Sequence, residues 1–296
     1  MNDKLQLQND VMIDTTDQET PVCSVDDDPG DGLSREEKEK LAKAPDVSQF
    51  KREKLEKDAK KNWDLFYKRN GDRFFKNRYW TKHEFQELFT NDLPERRSLL
   101  EIGCGCGDFV LPLLEYDDIK SDSTKLFVHC CDISDKAIEI LKANPIYKKH
   151  HPKRVNAFAA DITKLDSNLV FQQVSEPVDF VSLIFVLSAL EPDKMSIAVD
   201  KIYRLLKPGG IVLFRDYAIY DKEMLRFGEG SKISDKFYVR QDGTRAYFFT
   251  KEELLKLFTS NQRFQSLSID YVKRETVNNS TQDKFSRIFL QAKFKK

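Results

Sequence analysis

From residue 97 onward, short apolar runs at 98–102, 126–132, 155–161, 178–185 and 211–216 alternate with stretches of helical period such as 134–143 and 193–206. Strand, helix, strand in repetition predicts a parallel sheet wrapped by helices, an α/β class. Lys207-Pro208-Gly209-Gly210 is expected to end one helix and turn into the next strand. Thr250 with Glu253 three residues on has the capping-box pattern and predicts one more helix, followed by two strands near 267–273 and 287–294. Upstream, Ser34 and Glu37 make the same pattern for a helix that Pro45 stops. From Ser48 a second helical pattern sets Leu55, Ala59, Trp63, Phe66 and Tyr67 on one stripe. The chain shows no internal repeat.

Charge divides the chain further. The 296 residues suit one large or two small domains, and 49 Lys and Arg balance 49 Asp and Glu, which excludes a polycation of the histone kind. The balance is uneven along the chain: residues 1–32 hold nine acids and one Lys, whereas 51–82 hold 12 basic residues against five acids. An acidic disordered leader (1–33), a basic aromatic helical extension (34–96) and a catalytic domain (97–296) with an insertion near 217–249 are therefore expected. The longest predominantly apolar run, 180–190, is eleven residues, too short to cross a bilayer, and the acidic start does not read as a secretion signal. Five cysteines without a Cys-x-x-Cys pair do not make a disulfide framework and point to a reducing compartment, cytoplasm or nucleus.

The sharpest local signal is Leu99-Leu100-Glu101-Ile102-Gly103-Cys104-Gly105-Cys106-Gly107-Asp108, a strand running into a glycine turn. Glycines there, Gly103 and Gly105 first, let a backbone pass close under a bound ligand. Asp108 stands where a dinucleotide fingerprint needs glycine, so a pyrophosphate is not the expected guest. Asp132 closes the second strand, placed to accept from ribose hydroxyls, and Asp161-Ile162 closes the third, where a carboxylate meets an adenine amine. In this order along three strands, the pieces resemble the class I S-adenosylmethionine-dependent methyltransferases. Two other patterns compete. Tyr203 and Lys207 match the Tyr-x-x-x-Lys pair of short-chain dehydrogenases, with Ser188 upstream, but the glycine spacing is wrong for them. Cys104, Cys106, Cys130, Cys131 and His129 offer metal-binding atoms, yet adjacent cysteines in a strand point to opposite faces, so small buried side chains are expected and no metal.

The acceptor is narrowed by what is missing. The fourth strand ends Ile184-Phe185-Val186-Leu187-Ser188, without the Pro-Pro-aromatic that amine methylation uses, and no Pro-Cys marks attack at carbon 5. A ring nitrogen with a free lone pair is the simplest acceptor. The segments 62–68, 73–80, 183–189, 192–195, 214–217 and 237–245 resemble the tRNA 3-methylcytidine methyltransferase family, over about residues 50–295. The resemblance implies a Rossmann-like, mostly parallel seven-stranded sheet with flanking helices and an N-terminal helical extension. It implies N3 methylation of cytidine 32 in the anticodon loop, serine tRNAs included, with tRNA and an aminoacyl-tRNA synthetase, the seryl enzyme in particular, as partners. It also implies that Trp63, Tyr67 and Ile184 help enclose S-adenosylmethionine alongside Gly103, Gly105, Asp132, Asp161 and Ile162. The basic aromatic segment separately offers Phe74, Lys76 and Arg78 for phosphate contact and base stacking. The family-like strings add Arg215, Tyr217, Arg240 and Arg245 to that set. Asp216, at the end of the fifth strand, is the expected catalytic carboxylate, steadying the positive charge that methylation leaves on the base. A small-molecule methyltransferase would share the core without needing the basic extension, and a non-catalytic RNA-binding module would keep the extension without the cofactor aspartates.

Overall fold

Consecutive residues of the central strands are buried on opposite faces, Leu99 against Leu100, Phe180 against Val181, Leu213 against Phe214, as a sheet covered on both sides requires. The computed structural model describes residues 24–25, 29–30, 33–36, 39, 41, 45–75, 77–78, 80–89, 97–119, 126–164, 169–277 and 284–296. Its strands are β1 (Ser24–Val25), β2 (Arg97–Ile102), β3 (Leu126–Asp132), β4 (Val155–Ala159), β5 (Val178–Ile184), β6 (Leu206–Tyr217), β7 (Lys232–Ser234), β8 (Phe237–Val239), β9 (Arg245–Tyr247), β10 (Gln265–Val277) and β11 (Lys284–Lys295). The main sheet runs β4-β3-β2-β5-β6-β11-β10, seven long strands, with the two residues of β1 on the outer edge of β10. The first five are parallel, and β11 returns antiparallel between β6 and β10. Strands β7, β8 and β9 form a separate small sheet within the expected insertion.

The helices are α1 (Gln49–Lys57), α2 (Ala59–Asn70), α3 (Thr81–Glu84), α4 (Val110–Ile119), α5 (Asp135–Ala143), α6 (Pro145–His150), α7 (Leu169–Gln173), α8 (Pro192–Leu205), α9 (Lys222–Arg226) and α10 (Lys251–Thr259). In α8, Pro192 presets the first turn and Met195, Ala198, Val199, Ile202 and Leu205 recur at helical spacing on the buried side. Helix α10 begins with the expected capping box of Thr250 and Glu253. These two helices cover one face of the sheet, where Phe258 stacks on Phe294 of β11 with ring centroids 4.2 Å apart. Cutting back such a buried ring costs about 3–5 kcal/mol. Among the described residues no helix is long and apolar enough to cross a membrane.

Two local expectations change. Lys207-Pro208-Gly209-Gly210 is part of β6 rather than a turn before it. The C-terminal residue explains this: Gly209 donates its N–H to the Lys296 carbonyl at 2.9 Å and Lys296 donates back to Gly210 at 3.0 Å. The stripe from Leu55 to Tyr67 is divided at Asp58 into α1 and α2, so its two halves lie on different helices. The helix expected from Ser34 to Pro45 falls mostly outside the described residues, as does most of the acidic leader, from which Ser24 and Val25 pair with Val272 and Tyr271.

Candidate functional site

The strands β2, β3 and β4 deliver their last residues to one edge of the sheet, and the turn after β2 is built for close approach. Gly103 and Gly105 hold left-handed backbone, φ 67° and 53°. A Cβ on Gly103 would sit 2.5 Å from a Val186 methyl, and one on Gly105 would sit 2.7 Å from the Tyr67 hydroxyl. Asp132, ending β3, joins this turn to its own strand: Oδ2 accepts the Gly105 N–H at 2.8 Å and Oδ1 accepts the Ser134 N–H at 2.9 Å. Burial pushes its carboxyl up to about 6, against the pull of those two N–H groups. Each oxygen keeps a lone pair for a ligand hydroxyl. At the end of β4, Asp161 Oδ1 accepts from the N–H and the hydroxyl of Thr163 at 2.8 and 2.7 Å, beside buried Ile162.

These groups open on a cavity of about 860 Å³, within the range of cofactor sites. Gly103, Asp132, Ile133, Asp161 and Ile162 line it from the sheet edge, Trp63 and Tyr67 from α2, and Phe185, Val186 and Glu191 from the chain beyond β5. Helix α2 is tied down over it. Asp64 accepts from Ser134 Oγ at 2.6 Å and from the Lys136 N–H at 3.1 Å, and Asn62 donates to the Gly243 carbonyl at 3.0 Å. Helix α1 is held by ion pairs: Arg52 Nε donates to Glu191 at 2.7 Å, and Glu56 takes Lys194 and Arg245. A cradle that a single Cβ would fill, flanked by two strand-end carboxylates and roofed by two aromatic rings, fits a nucleoside-bearing cofactor.

Of the residues expected from the sequence, Trp63, Tyr67, Gly103, Asp132, Asp161, Ile162 and Arg245 line this cavity, and Gly105 supports it beneath Tyr67. Ile184 lies one residue behind the wall, buried. Arg78 turns inward, its guanidinium donating to the Ile184 carbonyl at 3.2 Å and stacking 5.1 Å from the Phe185 ring. Phe74 packs against Phe66 and Phe75, centroids 4.5 and 4.6 Å away. Arg215 is 1% exposed, sandwiched 4.2 Å from Trp80 and 5.1 Å from Phe289. Gln291 accepts from it at 3.1 Å, and Glu84 pairs with it at 3.7 Å. Its burial leaves no face for RNA. Tyr217 is half-buried against Phe185, with Arg240 5.4 Å from its ring, and Arg240 is itself bonded to Glu223 at 2.6 Å. Lys76 lies outside the described residues.

Asp216 does not line the cavity. It is fully buried, and its carboxylate accepts the N–H groups of Val186, Ser188 and Tyr217 at 3.1, 3.0 and 2.9 Å. Burial raises its carboxyl to about 6, with Ser188 opposing. In this position it holds the segment from Val186 to Ser188 that forms part of the wall. Tyr203 and Lys207 also lie away from the cavity, Lys207 bonded to Asp179 at 2.8 Å. Cys104, Cys106, Cys130 and Cys131 are buried free thiols. Sequence reasoning missed Phe185, Glu56 and Glu191. Phe185 left one signal, its place at the end of the fourth parallel strand; the glutamates, on a helix face and a loop, left none.

The site's geometry agrees with what the chain is similar to. A family model described as a methyltransferase domain matches residues 100–212. The human tRNA N(3)-cytidine methyltransferase METTL6 is 48% identical over 89% of this chain and 90% of its own. The tRNA N(3)-methylcytidine methyltransferases Mettl2 of Drosophila melanogaster and trm140 of Schizosaccharomyces pombe are 42% and 41% identical, over 83% and 81% of this chain and 74% and 77% of theirs. Among solved structures, the CcbJ methyltransferase of Streptomyces caelestis shares the fold at TM-score 0.52 and 15% identity, over 80% of this chain and 98% of that one. A protein with such relatives, whose glycine cradle and paired aspartates open on one aromatic-roofed cavity, belongs to the tRNA N(3)-cytidine methyltransferase family and is an S-adenosylmethionine-dependent enzyme.

Proposed function

We propose that this chain methylates N3 of cytidine 32 in the anticodon loop of tRNA, serine tRNAs among its substrates, with a seryl-tRNA synthetase as a partner. The observation that carries an RNA substrate is a second groove, about 420 Å³, lined by Lys57, Lys60, Lys61, Leu65, Lys68 and Lys136 with Asp64 among them. Lys57 and Lys60 border both this groove and the cofactor cavity. A row of ammonium groups leading to a methyl-transfer cavity suits a phosphate backbone that presents one base. A small-molecule acceptor has no use for it.

Asp132 and Asp161 would hold the ribose hydroxyls and the adenine amine of S-adenosylmethionine, Gly103 and Gly105 would admit its chain, and Trp63 and Tyr67 would cover it. Bound there, the cofactor supplies an electrophilic methyl on a sulfonium. The protein's share of the work is alignment and water exclusion, since cytidine N3 carries an unprotonated lone pair at neutral pH and needs no general base. Asp216 contributes as a positioning residue, holding Val186 and Ser188. Free buried thiols suit a reducing compartment, cytoplasm or nucleus. The test is methylation of purified tRNA species by the purified protein, read by mass spectrometry of nucleosides. 3-Methylcytidine in serine tRNA, lost when cytidine 32 is replaced by uridine, is the expected result; no product with any tRNA, alone or with the synthetase, refutes the reading.

A further inference from the structure

Phe185 occupies left-handed backbone, φ 59°, which L side chains rarely adopt and a bulky ring least of all. Its neighbours enforce that conformation from several directions. The Phe185 N–H donates to the Arg215 carbonyl at 2.8 Å, and Arg78 holds the preceding carbonyl, of Ile184, at 3.2 Å. The Asp216 carboxylate takes the N–H groups of Val186 and Ser188 just beyond. The ring is buttressed by Tyr217 at 5.0 Å and Phe289 at 5.4 Å, with the Arg78 guanidinium 5.1 Å away. Arg78 and Tyr217 thus pack on the Phe185 ring, while the Arg215 carbonyl and the Asp216 carboxylate hold the backbone of Phe185 and of the residues just beyond it, and the ring stays in the cavity wall.

Position says what that ring is for. Asp132 and Asp161 assign the nucleoside half of the cofactor to the ends of β3 and β4. Phe185 directly follows β5, on the other side of β2, and its neighbour Val186 touches the Gly103 cradle. That end of the cavity is left for the methyl group and its acceptor. We propose that Phe185 is the platform on which the acceptor cytosine stacks, fixing the plane of the base so that N3 faces the methyl. The proposal rests on the function argued above. A ring held by strain against a cradle suits this task because its plane is set before the base arrives, and the alignment is not spent on ordering a mobile side chain.

The test replaces Phe185 with Tyr, Leu and Gly in the full-length protein. Tyr keeps the aromatic face, Leu keeps apolar bulk without it, and Gly removes the ring while relieving the left-handed backbone. S-adenosylhomocysteine and tRNA affinities are measured by calorimetry and filter binding, and methylation by single turnover at saturating cofactor and tRNA. In a second arm, tRNA carrying 5-iodocytidine at the acceptor position is irradiated and the crosslinked peptide is mapped. F185L and F185G should fold, bind both ligands within about threefold of the parent, and methylate ten- to a hundredfold more slowly, as loss of one base–aromatic stack predicts. F185Y should restore the rate, and the crosslink should fall on Phe185. A parent that methylates cytidine together with an F185L rate within threefold of it, or a crosslink on another residue, overturns the role of Phe185 alone. A parent that methylates no tRNA with or without the synthetase removes the function reading, and this proposal with it. Loss of cofactor binding in F185L and F185G would show the ring to be part of the cofactor wall and would also overturn it.

Discussion

Asp64 of α2 accepts a hydrogen bond from Ser134 Oγ at 2.6 Å, two residues beyond Asp132 on β3. The same carboxylate takes the Lys136 N–H in the first turn of α5, so a side chain from the N-terminal extension caps a helix of the catalytic domain. Trp63 and Tyr67 flank Asp64 in sequence, and the bond sets them over the cavity. Asp64→Ala should therefore weaken S-adenosylhomocysteine binding about tenfold, the effect of losing a charged hydrogen bond of about 1.5–3 kcal/mol, with the sheet intact. Calorimetry checks it, and unchanged affinity would mean that the two rings find their places without this tie.

Gly103→Val puts branched carbon where even a Cβ meets Val186 at 2.5 Å, on backbone that favours glycine. Cofactor affinity should drop more than tenfold, and Asp132→Ala should do the same by removing an acceptor. A variant of either kind with the parent's dissociation constant would exclude this cradle as the cofactor site.

The Asp132 carboxyl, raised to about 6, also sets a pH dependence. The ionised form accepts from ligand hydroxyls, so the dissociation constant should climb about tenfold per pH unit as pH falls below about 6. Folding stability moves in the opposite sense. A folded-state pKa raised above the unfolded value of about 3.9 contributes stability that is present below that value and lost as pH rises through about 6. Denaturant melts between pH 4 and 7 should show a shallower slope in Asp132→Asn than in the parent, and binding titrations over the same range should show the weakening only in the parent.

Lys61 and Lys68 line the lysine groove and make no ion pair among the described residues. Reversing both charges should lower tRNA affinity and reduce its salt slope by about 0.7–0.9 for each phosphate left without its ammonium partner, while cofactor binding stays put. Arg78→Ala should behave differently, because its guanidinium is bonded inside the protein. Its tRNA salt slope should match the parent's, and a reduced slope would place Arg78 on the RNA after all.

Asp216→Asn keeps one acceptor oxygen but turns an amide N–H₂ toward backbone donors that the carboxylate now satisfies. Single-turnover methylation at saturating substrates should slow by about 10² with both dissociation constants little changed, since the disturbed segment carries Phe185 and Val186. A rate within threefold of the parent in a folded variant would show that this segment holds its shape without the charge.

Short-range order was legible in the sequence. Alternating strand and helix periods marked the parallel sheet, glycine spacing after 99–102 marked the cradle, Asp132 and Asp161 marked the strand ends, and Thr250 with Glu253 marked a helix start that formed as read. Each of these depends on residues within a few positions of one another, and local sterics and hydrogen bonding determine them. The direction of Arg78, Arg215 and Asp216 does not. A basic residue among aromatics reads the same whether its neighbours stack on RNA or on it. What decided Arg215 was β11, which lies antiparallel against β6, pairs Gln291 with it and brings Phe289 within 5.1 Å, while Glu84 arrives from α3. Those partners are about 75 and 130 residues away in the chain. Only the assembled sheet could show that a guanidinium and a carboxylate, which cost too much to bury unpaired, had found their partners inside the protein.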